Sequence, residues 1–324
     1  MLISRIAIWI LSAGMFPACI GWVAAADYPT RSIRLLVGYD PGGGTDQTAR
    51  TIGNNLTARL GHPVVTDNRP GIGGVVARNI AAQASPDGYT LLLISGSQVI
   101  GASLVYGNRI DMQKTYTSIS RLTTYPFPLV THPSSPATTV KEMIALAKSK
   151  PGAFNYGSTG VGSMAHLASE LFKEMAQVNM VHVPYKGASA GLLDLMRGQI
   201  QLTFTSATAS VPLVKAGKVR VLGVSSINRS KNLPDVPTIA EGGLPGFDVT
   251  GWFALAAPAG TPRAVIARLN REIGEVLKSP DVQKVIEHDG ADPAPSTPEE
   301  LTAIVNAEES KWIKLVKSAG INLK

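Results

Sequence analysis

The stretch from Ser32 to Ser95 switches repeatedly between two hydrophobic periods, and that switching limits the fold more than any other feature. "SIRLLVGY" reads as a buried strand. The next segment places Ala49, Ile52, Leu56 and Leu60 on one face of a helix. "HPVVTDN" then reads as a short strand, "GGVVARNIAAQAS" as a helix and "GYTLLLIS" as another strand. Links this short between alternating strands and helices imply a parallel sheet with right-handed crossovers. The fold class is α/β.

The second half repeats the style without repeating the sequence. Thr139 and Glu142 form a capping box that opens a helix to residue 149. Met164, Leu167, Ala168, Leu171, Phe172 and Met175 follow one helical face. "MVHVPY", "IQLTF", "VRVLGVS" and "FALAAPAG" read as strands, and "NLPDVPTIAEGGLPGFDVTGW" is too irregular for a simple link. Thr261-Pro262 and Thr297-Pro298 each place a capping residue before a proline, which marks two helices near the C-terminus. Two α/β lobes are expected, with the tail returning to the first.

The chain has 324 residues, enough for two ordinary domains. "MLISRIAIWILSAGMFPACIGWVAAADYP" has one cation, a long apolar run and small residues ending at Ala26. That is the layout of a signal peptide cleaved before Asp27. The competing readings are a membrane anchor and lipidation at Cys19, but Phe16-Pro17-Ala18 is a poor context for lipidation. Cys19 is the only cysteine, so the mature chain has no thiol, disulfide or cysteine-based metal site. The formal charge of +7 falls to about +6 without Arg5, and no basic block suggests nucleic acid.

Two glycine turns carry the functional signal. "GYDPGGGTDQTAR" follows a strand and precedes a helix, so free backbone N–H groups and the helix dipole can attract an anion there. Thr45 or Asp46 can cap that helix. The loop lacks the Lys-Ser/Thr of a phosphate loop, and Gln47 stands where the third glycine of a dinucleotide fingerprint belongs. A plain tight turn remains the alternative. "GSTGVGSMAH" has the same build in the other lobe and adds the hydroxyls of Ser158, Thr159 and Ser163. Tyr156 breaks the nucleophile-elbow pattern around Ser158, so these serines read as binders. His166, one turn into its helix, reads as capping or packing. The other histidines show no metal spacing. Lys186 beside Gly187 can meet an anionic ligand or simply stay solvated.

These motifs make the chain similar to the Bug family of extracytoplasmic solute-binding receptors, those of tripartite tricarboxylate transporters. The resemblance rests on "YPTRSIRLLVGYDPGGGTDQTAR", "VVTDNRPGIGGVVARNIAAQASPDGYTLLL", "YGSTGVGSMAHLASELFK", "VHVPYKG", "AGKVRVLGVSS", "DVPTIAEGGLPGF" and "APAGTP", in order along the mature chain. It implies a two-lobed, Venus-flytrap fold of periplasmic-binding-protein type II, with ligand between the lobes. It implies no cofactor, no enzymatic activity, a small organic acid as ligand and membrane permease subunits as partners. The family's ligand loops carry over to Gly42, Gly43, Gly44, Thr45 and Asp46, and to Ser158, Thr159, Gly160, Ser163 and His166. Tyr39, Ser95, Ser97, Lys186, Gly187 and Thr205 complete the candidate ligand-binding set.

The expected division is a signal peptide at 1–26, a first lobe of 27–124 with 249–324, and a second lobe of 125–248. A periplasmic monomer is expected. Two departures bear on the ligand: Asp40 stands in the first loop, and Thr205 stands where many members carry Asp. The rival functions are a secreted serine hydrolase using Ser158 or Ser163, and a ligand sensor for a membrane signalling partner.

Overall fold

The computed structural model describes residues 28–71, 74–99, 112–318 and 320. The expected signal peptide and Cys19 lie outside the described residues. β1 (Ile33–Val37), α1 (Gly44–Leu60), β2 (Val64–Asn68), α2 (Val75–Ala82) and β3 (Thr90–Ser95) form the expected βαβαβ unit. β1 pairs parallel with both β2 and β3. After α3 (Met112–Thr115), β4 (Tyr116–Tyr125) joins the same sheet, whose order is β11-β4-β10-β3-β1-β2. β10 (Gly251–Pro258) runs antiparallel between β3 and β4, and β11 (Asp292–Pro293) lies at the edge.

Why β1 and β3 carry apolar residues on both faces at their centres is clear from what covers them. Ile33, Leu35, Leu91 and Leu93 pack under α1 and under Leu269 and Ile273 of α8 (Arg263–Lys278). Leu36, Leu92 and Ile94 face the other way, against Ala77 and Ala81 of α2. A sheet buried on both faces has no polar alternation to show.

The second sheet has the order β7-β6-β8-β5-β9. It is built from β5 (Pro128–Thr131), β6 (Phe154–Ser158), β7 (Met180–Pro184), β8 (Leu202–Phe204) and β9 (Arg220–Val224). β6 is parallel to β7 and β8, and β5 is antiparallel to β8 and β9. Around it lie α4 (Val140–Ser149), α5 (Met164–Ala176), α6 (Ala188–Met196) and α7 (Ala207–Lys215). Phe172, Phe204 and Phe247 meet in its core at ring separations of 5.9–6.5 Å.

Local signals mostly fall where the sequence puts them. Thr139 and Glu142 close their capping box on α4, both bonds at 3.2 Å. Thr297 and Glu300 do the same for α10 (Pro298–Ser318). Thr261 does not cap α8: its hydroxyl donates to the Pro258 carbonyl, and Pro262 takes the capping position. The C-terminal region also holds a third helix, α9 (Pro280–His288), which starts at proline directly after α8 ends.

The chain crosses between the sheets near Phe127 and again near Val249, and one buried residue joins the two passages. The Ser225 hydroxyl accepts from Phe127 N at 2.8 Å and donates to the Val249 carbonyl at 2.5 Å. Its backbone N–H donates to Phe127 O, and its carbonyl accepts from Val249 N. α10 makes a further connection. Leu301 and Val305 belong to the first sheet's core, whereas Trp312 and Leu315 belong to the second's. Among the described residues no helix is long and apolar enough to cross a membrane.

Trp312 is fully buried and donates its indole N–H to Glu308 at 2.7 Å. Trp312→Ala is therefore expected to lower unfolding free energy by about 3–5 kcal/mol. Urea denaturation checks this, and a loss below about 1 kcal/mol would show that α10 is not anchored there.

Candidate functional site

The strands β1, β2 and β3 are parallel, so their carboxyl ends bring three loops together. The register pairs Val37 with Asn68 and with Leu93, which places the first glycine turn beside Asn68 and beside Ser95–Ser97, where β3 passes directly into helical residues 96–99. Carboxyl ends of parallel strands are the usual ligand side of such sheets. Tyr39 OH lies 3.4 Å from Ser97 Oγ, and Ser97 Oγ lies 2.9 Å from Ser95 Oγ.

Gly42 has φ +90°, a conformation that side chains disfavour. Gly43 and Gly44 have open space where a side chain would stand, and both are exposed. Their backbone is thus accessible to something from outside the chain. Gly43 itself caps α1, with no side-chain cap. Neither Thr45 nor Asp46 takes that role, because the Asp46 carboxylate turns back to bind the loop. It accepts from Gly42 N, Arg50 Nε and Asn68 Nδ2, each at 2.9 Å. Burial alone would raise the Asp46 pKa, but these donors, Arg50 first, hold it below the usual carboxylate range. Asn68 also donates to the Tyr39 carbonyl at 3.0 Å. Asp46 therefore shapes the turn, and Asp40 stays exposed to solvent.

The second sheet presents a turn of the same build between β6 and α5. Ser163 caps α5, its hydroxyl accepting from His166 N at 3.2 Å. Ser158 Oγ accepts from Gly160 N and lies at the same 3.1 Å from Gly160 O. Thr159 is exposed at the tip. Tyr185 N donates to Ser158 O at 2.9 Å, which brings Lys186 and Gly187 beside the turn. Gly157 pairs with Thr203, so Thr205 follows on the same side; it is buried and its hydroxyl has no hydrogen-bond partner.

Behind this turn lies a packed stack that sequence reading does not reveal. The rings of His166 and His182 are parallel at 4.0 Å, and His182 stacks on Tyr156 at 4.9 Å. His166 Nδ1 accepts from Gly162 N at 3.1 Å, which places its proton on Nε2. His182 Nε2 lies 2.7 Å from Ser158 Oγ. Tyr156 donates to Glu170, which also pairs with Lys173 at 2.7 Å.

A histidine on Ser158 invites a hydrolase reading, but the chemistry is wrong for it. Burial, then the neighbouring His166, pushes the His182 pKa down to about 4, so it is a weak base. Glu170 is already bonded to Tyr156 and Lys173. Among the described residues no carboxylate hydrogen-bonds to His182 to orient it. No group of three or more His, Cys, Asp or Glu among the described residues could hold a metal ion.

Each sheet therefore gathers its own half of the candidate set. Asn68, Arg78, Gln98 and His182 are additional participants. Asn68 sits in the quoted "NRPG" motif, and Arg78 interrupts the apolar face of α2. His182 meets Tyr156 only through β6–β7 register, a pairing with no local signal.

Burial also lowers the His166 pKa, so both imidazoles are held neutral in the fold. The unfolded chain binds protons that the folded one refuses, so stability is full above about pH 6.5 and falls toward pH 4. A loss on the order of 2 kcal/mol from His182 is expected across that window. Denaturation at stepped pH should show a flatter profile for His182→Asn, and an unchanged slope would contradict this account.

The family described as "Tripartite tricarboxylate transporter family receptor" matches residues 48–321. Protein BugT from Bordetella pertussis is 36% identical over 327 residues, covering 100% of this chain and 98% of BugT. The solved structure of R. palustris Rpa4515 with adipate has a TM-score of 0.78 and 36% identity, covering 91% of this chain and 99% of that one. MatC from Rhodopseudomonas palustris with bound malate has a TM-score of 0.71 and 30% identity, covering 89% and 100%.

Proposed function

Because the chain belongs to the tripartite tricarboxylate transporter receptor family, we propose that it captures a small dicarboxylate between two lobes and hands it to a membrane permease. It is a solute-binding receptor, not an enzyme. One observation carries the ligand class: each sheet ends in a strand, a glycine turn and a helix start whose backbone N–H groups stay accessible at Gly43, Gly44 and Thr159. Two such donor clusters suit a molecule with an acceptor at each end. The relatives solved with adipate and malate point to the same class.

The lobes are residues 27–124 with 249–324, and 125–248, with the last turns of α10 seated on the second. They close about the crossings clasped by Ser225, and the closed form is the one the permease reads. Tyr39, Gly42, Gly43, Gly44, Thr45, Ser95 and Ser97 line the first jaw, with Asp46 shaping it. Ser158, Thr159, Gly160, Ser163, Lys186, Gly187 and Thr205 line the second, with His166 behind it. Contacts are made by backbone N–H groups, hydroxyls and the Lys186 ammonium, with water bridging. The protein acts in the periplasm as a monomer after its signal peptide is removed.

A thermal-shift screen of adipate, malate, citrate, benzoate and their amides tests the reading. At a thousandfold excess over Kd a binder adds about 4 kcal/mol, a shift of several degrees. Ser158→Ala should weaken the best acid about tenfold, through one lost hydrogen bond. If no carboxylate shifts the melting point while a neutral or cationic solute does, the reading fails.

A further inference from the structure

The first jaw rests on a buried cation, Arg78, that no carboxylate among the described residues neutralises. Arg78 projects from α2 and is 1% exposed. Its Nη1 donates to the Gln98 carbonyl at 3.1 Å, while Nε and Nη2 have no hydrogen-bond partner. Among the described residues no Asp or Glu forms an ion pair with it. Its titratable neighbours are the phenols of Tyr116 and Tyr39, which carry no charge at neutral pH, and the Tyr116 hydroxyl donates to the Arg78 carbonyl. A guanidinium keeps its proton even where burial works against it.

Two more donors are left open around the same turn. Gln98 Nε2 is buried and unpartnered, and it lies against the glycine backbone: a Cβ at Gly38 or Gly74 would come within 2.5 or 2.0 Å of it. Trp252 Nε1 is also buried and unpartnered, 3.1 Å from where a Cβ at Gly96 would stand. Four N–H groups without acceptors thus surround residues 95–98. Buried polar groups are normally satisfied, and an excess made only of donors around a cation calls for an acceptor with negative charge.

A short chain of bonds joins this charge to the ligand side of the jaw. Gln98 Oε1 accepts from Ser95 N at 3.0 Å, and Ser95 Oγ accepts from Gln98 N at 3.3 Å. Ser95 then contacts Ser97, and Ser97 contacts Tyr39. We propose that Arg78 is the charge-selecting positioning residue of this receptor. It holds the 95–98 turn through Gln98 and sets a positive potential under the first glycine turn, so an anionic ligand end is preferred over a neutral one. The inference rests on the receptor reading above and specifies where its charge preference originates. Buried charge is little screened by salt, so the effect persists at physiological ionic strength.

The test compares adipate with its neutral diamide, adipamide, by calorimetry on the wild type, Arg78→Met and Arg78→Lys. Arg78→Met should weaken adipate about 10- to 100-fold and leave adipamide within about threefold. Arg78→Lys should keep most of the adipate affinity. Without ligand, Arg78→Met should melt no lower than the wild type, because an unpaired buried charge has been removed. A purely structural arginine would do the opposite, lowering the melting point and weakening both probes together. That pattern, or unchanged adipate binding in Arg78→Met, overturns the inference while leaving the receptor reading intact. If Arg78→Met does not fold, the structural role is supported and the inference is rejected; Arg78→Gln then checks that outcome with the same two probes. A wild type that binds no carboxylate in the screen removes the receptor reading and this inference with it.

Discussion

Both passages of the chain between its sheets meet at the Ser225 side chain, and everything that depends on two lobes depends on that junction. A fully buried hydroxyl with a donor and an acceptor in place, flanked by two backbone bonds, fixes the crossings to each other. These bonds tie two antiparallel passages to each other, next to the antiparallel Gly251–Tyr125 pairing of β10 with β4. α10 adds a longer restraint, since its first half packs with one core and its last turns with the other. In the closure proposed above, Ser225 would serve as the hinge and α10 as the strap.

On either side of that junction stands a glycine turn of similar build, set in different surroundings. Each is a strand feeding a helix through glycine, so each offers backbone N–H groups and the positive end of a helix dipole. Behind the second turn the polar groups form a closed network: Tyr156, Glu170 and Lys173 satisfy one another, and two neutral imidazoles hold the Gly162 N–H and Ser158. Keeping those rings neutral matters, because a protonated His166 could not accept the Gly162 N–H.

Much of the fold was legible because its signals are local. The βαβαβ unit, the two capping boxes and both glycine turns depend on residues within a few positions of each other. The Thr261 cap was misplaced by one residue, because its hydroxyl finds the Pro258 carbonyl once the strand ends there. The helix from Pro280 was missed beside a longer neighbour. The site was half legible. Asp46 was visible as a loop residue, but its commitment to Arg50 and Asn68 needs β2 in place. His182 behind Ser158 needs the β6–β7 register, and Ser225 needs both crossings. Arg78 was visible as an odd residue on an apolar helix face, yet its lack of a partner is a property of the assembled core.

The contrast between the jaws gives the hinge its purpose. Behind the second turn the buried side-chain polar atoms are paired, Thr205 excepted, so the packing that supports its exposed N–H groups is already complete. The first lies over four unpaired donor nitrogens, two of them on the Arg78 guanidinium, so its supporting polar groups are incomplete. In the proposed receptor, an anion on the first jaw would lie in the field of that uncompensated charge, while on the second it would meet a surface whose support is complete. Preorganisation of one jaw limits the ordering that closure must supply. Incompleteness of the other makes closure over a well-matched anion more favourable than closure over nothing, which is the differential interaction that a population shift requires. A receptor with two finished jaws would gain less from its ligand on closing, and one with two unfinished jaws would lack a fixed surface against which to select it.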